Sequence, residues 1–102
     1  MLELFTTVAT KKQAQKIAAV FVTQKLAACV SYWQISSVYR WKGKICNTGE
    51  WTLCIKTSEK AGKKVEKKLR ELHPYEMPVI TMQKINVDKK VKKWVSDSTA
   101  KG

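Results

Sequence analysis

The residues with the most distinctive chemistry in this sequence are one imidazole and a carboxylate that follows it closely. His73 is the only histidine among 102 residues, and Glu76 lies three positions later. A closed zinc site needs about four nitrogen or sulfur ligands, so one histidine in a chain is not enough. Repeated by symmetry in an oligomer, His73 and Glu76 could hold copper or zinc, which imidazole ligands favour. The alternative is a histidine that caps or packs locally at a helix end.

Three cysteines, Cys29, Cys46 and Cys54, are the other soft groups of the sequence. An odd number of cysteines without tight spacing favours reduced thiols, as in a cytoplasmic protein. Cys29 lies among small apolar residues. It is therefore either a third candidate metal ligand or a buried, inert thiol.

Motifs that are typical of catalysis are missing from the sequence. It has no Gly-x-Ser-x-Gly motif, no pair of histidines and no glycine-rich phosphate loop. We therefore predict that the protein is not an enzyme and requires no cofactor. The candidate ion is copper or another divalent metal.

The chain is strongly basic, with 20 Lys and Arg residues against 8 Asp and Glu residues and a formal net charge of +12. Specific phosphate and base contacts usually use the forked guanidinium of arginine, and only Arg40 and Arg70 supply one. We interpret the lysines as solvated helix faces, and nucleic acid is not expected as a partner. The apolar runs fall far short of the roughly 20 residues that span a bilayer, so no membrane partner is expected either.

Hydrophobic periodicity predicts one domain over residues 1–102 with seven elements. A strand over residues 2–8 is followed by a capping box at residues 10–13 and a helix to residue 25. Two long strands cover residues 27–40 and 45–56. Ser58 is predicted to cap a second helix that Pro74 ends, a fourth strand begins at Val79, and Asp88 caps a short final helix. Residues 96–102 are expected to fray.

The two long strands are predicted to form a hairpin. Lys42-Gly43 suits a two-residue turn, because glycine supplies a positive φ. Thr48-Gly49 in the return strand indicates a bulge. Without a bulge Cys54 would face Ser31, and with one that arrangement would invert.

The element order β-α-β-β-α-β with a short C-terminal helix predicts an α+β, ferredoxin-like fold. Its long hairpin exceeds what one domain can cover, because a 14-residue strand spans about 46 Å. The protruding part would expose Tyr39, Trp41 and Ile45, with Trp51 nearby. Exposed aromatic ribbons invite edge pairing, so we expect a symmetric homo-oligomer with these four residues at the interface. The alternative is a hairpin that folds back over its own sheet.

Four segments occur in a characteristic order: KLAACV at residues 25–30, VYRWKGKI at 38–45, IKT at 55–57 and HPYEMP at 73–78. Together they resemble the CutA divalent-cation tolerance family over nearly the whole chain. The resemblance implies a ferredoxin-like protomer in a tight homotrimer, similar to the PII-like proteins, which bind small effectors in clefts between subunits. It also implies a role in tolerance of, or response to, copper and other divalent metal ions.

The resemblance implies an inter-subunit cleft where an anion or small effector, or a metal ion, would bind. The residues expected at the cleft are Tyr39, Arg40, Trp41, Lys56, His73 and Tyr75.

Two departures from the family pattern bear on the binding of a metal ion. Some bacterial members carry a cysteine where this chain has Thr6 and a histidine where it has Leu72. The family's cysteine and histidine at these two positions are used in arguments for copper binding.

An RNA-binding module is the alternative function, because RNA-recognition domains share this element order. Those domains read bases with an aromatic-Gly-aromatic motif on the third strand. Here Lys42-Gly43 is followed by Lys44-Ile45, so the motif is missing.

Overall fold

A computed structural model describes residues 1–99 as seven elements in the predicted order. No helix in this part of the chain is both long and apolar enough to cross a membrane. The elements are β1 (Leu2–Val8), α1 (Lys11–Thr23), β2 (Cys29–Trp41), β3 (Lys44–Thr57), α2 (Gly62–Leu72), β4 (Thr81–Lys84) and α3 (Lys89–Ser98).

The four strands form one antiparallel sheet in the order β2-β3-β1-β4. Alternate side chains of β1 and β3 point to the face that α1 and α2 cover. Leu4 and Leu53 from the sheet, Phe21 from α1 and Leu69 from α2 are fully buried in one core. The α+β, ferredoxin-like fold is therefore confirmed.

Helix α1 begins as the sequence predicts and ends two residues earlier. Thr10 and Gln13 form the reciprocal capping box, with the Gln13 amide 3.1 Å from the Thr10 hydroxyl. Lys25 has a φ of 57°, a left-handed conformation that cannot continue the helix. The chain turns there, and the Leu26 amide bonds back to the Phe21 carbonyl.

The hairpin has the predicted turn and lacks the predicted bulge. Thirteen consecutive pairs run without interruption from Cys29 opposite Lys56 to Trp41 opposite Lys44. The prediction of a bulge at Thr48-Gly49 was wrong, because Thr48 and Gly49 pair in register with residues 37 and 36. Gly49 has no positive φ, so its backbone is one that other residues also adopt. Cys54 consequently faces Ser31.

Replacing Gly43 by alanine should lower the free energy of unfolding by about 1 kcal/mol. Gly43 has a φ of +78°, and a Cβ there would meet nothing within 4 Å, so backbone strain alone would be measured. Lys42 also has a positive φ, 49°. Lys42→Asn is the control and should be neutral or stabilising, because asparagine suits this turn. Equal losses in urea unfolding of both variants would contradict the assignment.

In the second half of the chain, helix α2 and strand β4 do not start as the sequence predicts. Helix α2 has Ala61 as its N-cap, so the prediction that Ser58 caps the helix was wrong. The Ser58 hydroxyl instead accepts from the Ala61 amide at 3.2 Å and stabilises the turn before the helix. Strand β4 starts at Thr81 and not at Val79, whose carbonyl accepts from the Thr6 hydroxyl at 2.7 Å.

Helix α3 is capped by Asp88 as predicted, with its carboxylate 2.8 Å from the Val91 amide. The helix continues to Ser98, and Thr99 is buried and donates to the Val95 carbonyl. Of the residues that were expected to fray, 96–98 are therefore helical and Thr99 is buried. The rest of that tail, residues 100–102, lies outside the described residues.

Candidate functional site

The hairpin protrudes from the core and is apolar on both faces. The protomer measures 46 × 24 × 20 Å. Near the turn, Val38 and Ile45 are 69% and 64% exposed, and Tyr39 and Trp41 are 41% and 37% exposed. Residues 38 and 45 lie on the face that continues the core, and residues 39 and 41 lie on the other. Trp51 differs from these four, because it is partly buried against the core of its own protomer.

His73 follows α2 and is held by hydrogen bonds at both ring nitrogens. Its Nε2 lies 2.9 Å from the Thr6 hydroxyl, and its Nδ1 accepts from the Tyr75 amide at 3.1 Å. Because the single hydroxyl proton of Thr6 is donated to the Val79 carbonyl, Nε2 must donate to Thr6. His73 is thus neutral, with its proton on Nε2 and no nitrogen left for a ligand.

Acid should destabilise the protein through His73. Burial lowers the pKa of this imidazole from its ordinary value of 6.5, and a hydrogen bond to the Thr7 backbone offsets part of the shift. Below pH 6.5 the unfolded chain therefore binds a proton that the folded chain does not, so this contribution to stability is lost as the pH falls. The free energy of unfolding should decrease between pH 7 and pH 5.5, and His73→Gln should flatten that decrease. An unchanged slope in His73→Gln would show that other groups are responsible.

Tyr75 connects the loop after α2 to the hairpin. Its ring packs edge-on against His73 with centroids 5.0 Å apart, and its hydroxyl donates to Glu50 Oε1 at 2.8 Å. Burial, the bond to Glu50 and the nearby Tyr39 all raise the pKa of Tyr75, so the phenol is protonated at neutral pH. This loop is therefore attached at two points, through His73 to β1 and through Tyr75 to β3.

Glu50 is the centre of a hydroxyl cluster on the sheet face that the helices leave uncovered. Burial tends to raise the pKa of this carboxyl, but hydrogen bonds from Ser37, Tyr75 and Thr7 outweigh it and lower the pKa. Glu50 is therefore ionised, and its neighbours satisfy it. Sequence reasoning missed Glu50; the available signal was an isolated acid in a strand, on the same face as threonines.

Lys56 lies at the other end of the hairpin. Its ammonium is 4.0 Å from Glu3 Oε2 and 3.7 Å from Cys54 Sγ, and its backbone pairs with Cys29. Burial raises the pKa of the Cys54 thiol, which favours its neutral form. This group is thus a local ion pair beside two free thiols.

The six residues expected at the cleft fall into three places in one protomer. His73 and Tyr75 are in contact, and Tyr39 lies near enough to Tyr75 to raise its pKa. Arg40 and Trp41 lie beside the hairpin turn. Lys56 pairs with Cys29, and Arg40 lies eleven residues further along the same strand, β2. Eleven residues of strand span about 36 Å. Lys56 and the residues beside the turn cannot line one cleft within a protomer.

The predicted metal ligands are also apart. Among residues 1–99, no group of three or more His, Cys, Asp or Glu side chains could hold a metal ion. Glu76 is exposed on the loop, and Cys29 lies at the start of β2. Residues 1–99 of one protomer therefore do not provide the ligands for a divalent-cation site.

Comparisons with known proteins agree with this fold over nearly the whole chain. The sequence profile described as CutA1 divalent ion tolerance protein matches residues 2–98. Divalent-cation tolerance protein CutA of Thermotoga maritima is 34% identical over 99 residues, which are 96% of this chain and 98% of the relative.

Two solved structures are similar across all seven elements. CutA1 from Pyrococcus horikoshii superposes with a TM-score of 0.95 at 27% identity, covering 99% of this chain and 100% of the other. The PII-like protein CutA from Nostoc sp. PCC 7120, solved in apo form, gives a TM-score of 0.92 at 27% identity, covering 98% of each chain. The likeness thus extends from β1 through α3.

Proposed function

This chain belongs to the CutA1 divalent ion tolerance family, and from that membership we propose that it acts as a homotrimer that responds to divalent metal ions such as copper. Its ligand, a small effector or a metal ion, binds between subunits. The family match also decides between the two functions predicted from the sequence, and we do not propose the RNA-binding module.

The observation that carries the proposal is the hairpin. This two-stranded ribbon extends beyond the core of its own protomer and has exposed apolar side chains on both faces. They are Val38 and Ile45 on one face and Tyr39 and Trp41 on the other. Such a ribbon is marginal in water unless other chains cover it. Neighbouring copies of the same chain provide that cover in a closed symmetric assembly.

The edges of the sheet support a ring of subunits. One edge is β2, with 13 residues, and the other is β4, with 4 residues. Pairing between two different edges is head-to-tail, and a head-to-tail contact closes only as a ring. Three subunits are the number that the family resemblance implies.

A ring would bring together residues that one protomer keeps apart. Arg40 beside the turn of one subunit can approach the Tyr75–Glu50 cluster or Lys56 of another. The cationic side chains of Arg40 and Lys56 suit the anionic groups of a small effector, because such bonds are charge-assisted. The hydroxyl cluster at Glu50 would then form a rigid wall of the cleft.

A metal site within one protomer does not fit the residues present. Both His73 nitrogens are committed, and the family's cysteine and second histidine are replaced by Thr6 and Leu72. Any copper site must therefore combine side chains of different subunits. We further propose that the protein is not an enzyme and that it is cytoplasmic, in keeping with three free thiols. The rice relative is named chloroplastic, and the relative from Archaeoglobus fulgidus is named periplasmic.

Native mass spectrometry with and without copper tests both parts of the proposal. The expected species has three chains under both conditions, and it persists at high salt because the hairpin contacts are apolar. Copper should bind with a stoichiometry set per trimer and not per chain. A dominant single chain at micromolar concentration would overturn the proposal.

A further inference from the structure

The end of the sheet opposite the Lys42-Gly43 turn, here called the basal end, is covered by two helices. Leu2, the first residue of β1, pairs with the last residues of β3 and β4 at this end. Helix α2 begins there, since a Cβ on Gly62 would lie 2.6 Å from Leu2 Cδ1. Helix α3 crosses the same end, because it follows β4 and the hydroxyl of its C-cap Thr99 lies 3.3 Å from the Ser58 hydroxyl.

Lysine is concentrated on this basal end with little compensating acid. Glu59 pairs with one of the lysines, Lys84, at 2.9 Å, and the carboxylate of Asp88 is used as the cap of α3. Glu3, near the start of β1, lies 4.0 Å from a further lysine, Lys56. The exposed basal lysines are Lys60, Lys63, Lys84, Lys89, Lys90 and Lys92.

The position of three lysines along their helices opposes helix stability. Lys63 lies in the first turn of α2, and Lys89 and Lys90 lie in the first turn of α3. Neither first turn contains an acidic residue. The first turn is the positive end of the helix dipole, where cations are disfavoured. Helix stability therefore does not explain this placement.

A small cleft of about 150 Å³ opens among these lysines, with the loop after β4 as one wall. Lys84 and Lys92 line it together with Met1 and Glu59. The Glu59 side chain is about half exposed, so an anion can compete with it for Lys84 at small cost. The cleft is of a size for a phosphate group and is too small for a base pair.

We propose that the basal end is a binding surface for linear inorganic polyphosphate, a polyanion recognised by charge alone. Lysine presents a compact point charge, which suits phosphate contacts that are independent of sequence. Recognition of nucleic-acid bases more often uses the bidentate guanidinium of arginine. Both arginines lie elsewhere: Arg40 beside the turn and Arg70 in the last turn of α2. Trp94 of α3 is exposed and could stack on a base, so single-stranded RNA is the competing ligand in the test. This inference does not rest on the proposed trimer.

Fluorescence anisotropy of end-labelled polyphosphate, titrated with the full chain at several salt concentrations, tests the proposal. The triple variant Lys89→Gln, Lys90→Gln and Lys92→Gln should weaken binding about tenfold or more and reduce the salt slope by about 2. Glutamine keeps the helix propensity of lysine, so folding should be preserved. The matched control, Lys12→Gln, Lys16→Gln and Lys67→Gln, removes the same charge from α1 and the middle of α2.

The control variant should bind nearly as tightly as the unmodified chain. If both triple variants lose the same affinity for polyphosphate, binding depends on the net charge of the protein and the proposed basal site is overturned. Single-stranded RNA that binds as tightly as polyphosphate at equal phosphate concentration would overturn the choice of ligand. The absence of binding at physiological salt would overturn both.

Discussion

A chain with Ile45→Glu is expected to scatter light as a single subunit at micromolar concentration, whereas the unmodified chain scatters as three. Ile45 is 64% exposed in the protomer, on a hairpin that extends beyond its own core. Loss of one isoleucine burial per subunit costs about 1.5–3 kcal/mol, or about 5–9 kcal/mol for a trimer. Desolvating three carboxylates adds to that cost. The trimer should therefore dissociate while each protomer keeps its fold.

The matched control is Val22→Glu on α1. Val22 is 46% exposed and also apolar, but it lies on the helical layer and not on the hairpin. This variant should keep three chains. If both variants dissociate, general surface polarity governs assembly and the hairpin does not; if neither does, Ile45 is not at an interface.

Thr6→Val should lower the free energy of unfolding by about 2–4 kcal/mol, although the two side chains have nearly the same shape. Thr6 is 3% exposed, and its hydroxyl accepts from His73 and donates to the Val79 carbonyl. Valine leaves both partners without their bond in a site that water reaches poorly. Urea unfolding at one fixed protein concentration measures the loss.

Thr81→Val is the control for this loss, because it removes the same hydroxyl from an exposed position in β4. Its effect should stay within about 0.5 kcal/mol. A Thr6→Val variant as stable as Thr81→Val would mean that the contact between β1 and the loop after α2 contributes little.

The elements that local chemistry specifies were predictable from the sequence. The capping box at Thr10 and Gln13, the turn at Lys42-Gly43 and the cap at Asp88 each depend on side chains within a few residues, and the structure confirms all three. The prediction of a bulge at Gly49 was wrong because a glycine in a strand permits a bulge without requiring one. Its regular pairing depends on the partner strand, which a local pattern does not describe.

The candidate site was predictable only in part, because its contacts join distant segments. His73 and Tyr75 stand out in one short motif, and the structure places their rings in contact. Thr6, 67 positions from His73, and Glu50, 25 positions from Tyr75, are joined to them only by the folded sheet. Arg40 and Lys56 look close in sequence, but an extended ladder separates them.

The central place of β1 affects how the chain folds during synthesis. β1 leaves the ribosome before both of its partners, which are residues 51–57 and 81–84. The β2–β3 hairpin is local and can form early, whereas the pairing of β1 must wait for contacts of high sequence separation. A nascent chain that stops before Thr81 would present an open edge along residues 2–5, which favours aggregation. Rapid synthesis of the segment that contains residues 81–84, or chaperone cover until then, should therefore determine the yield of native protein.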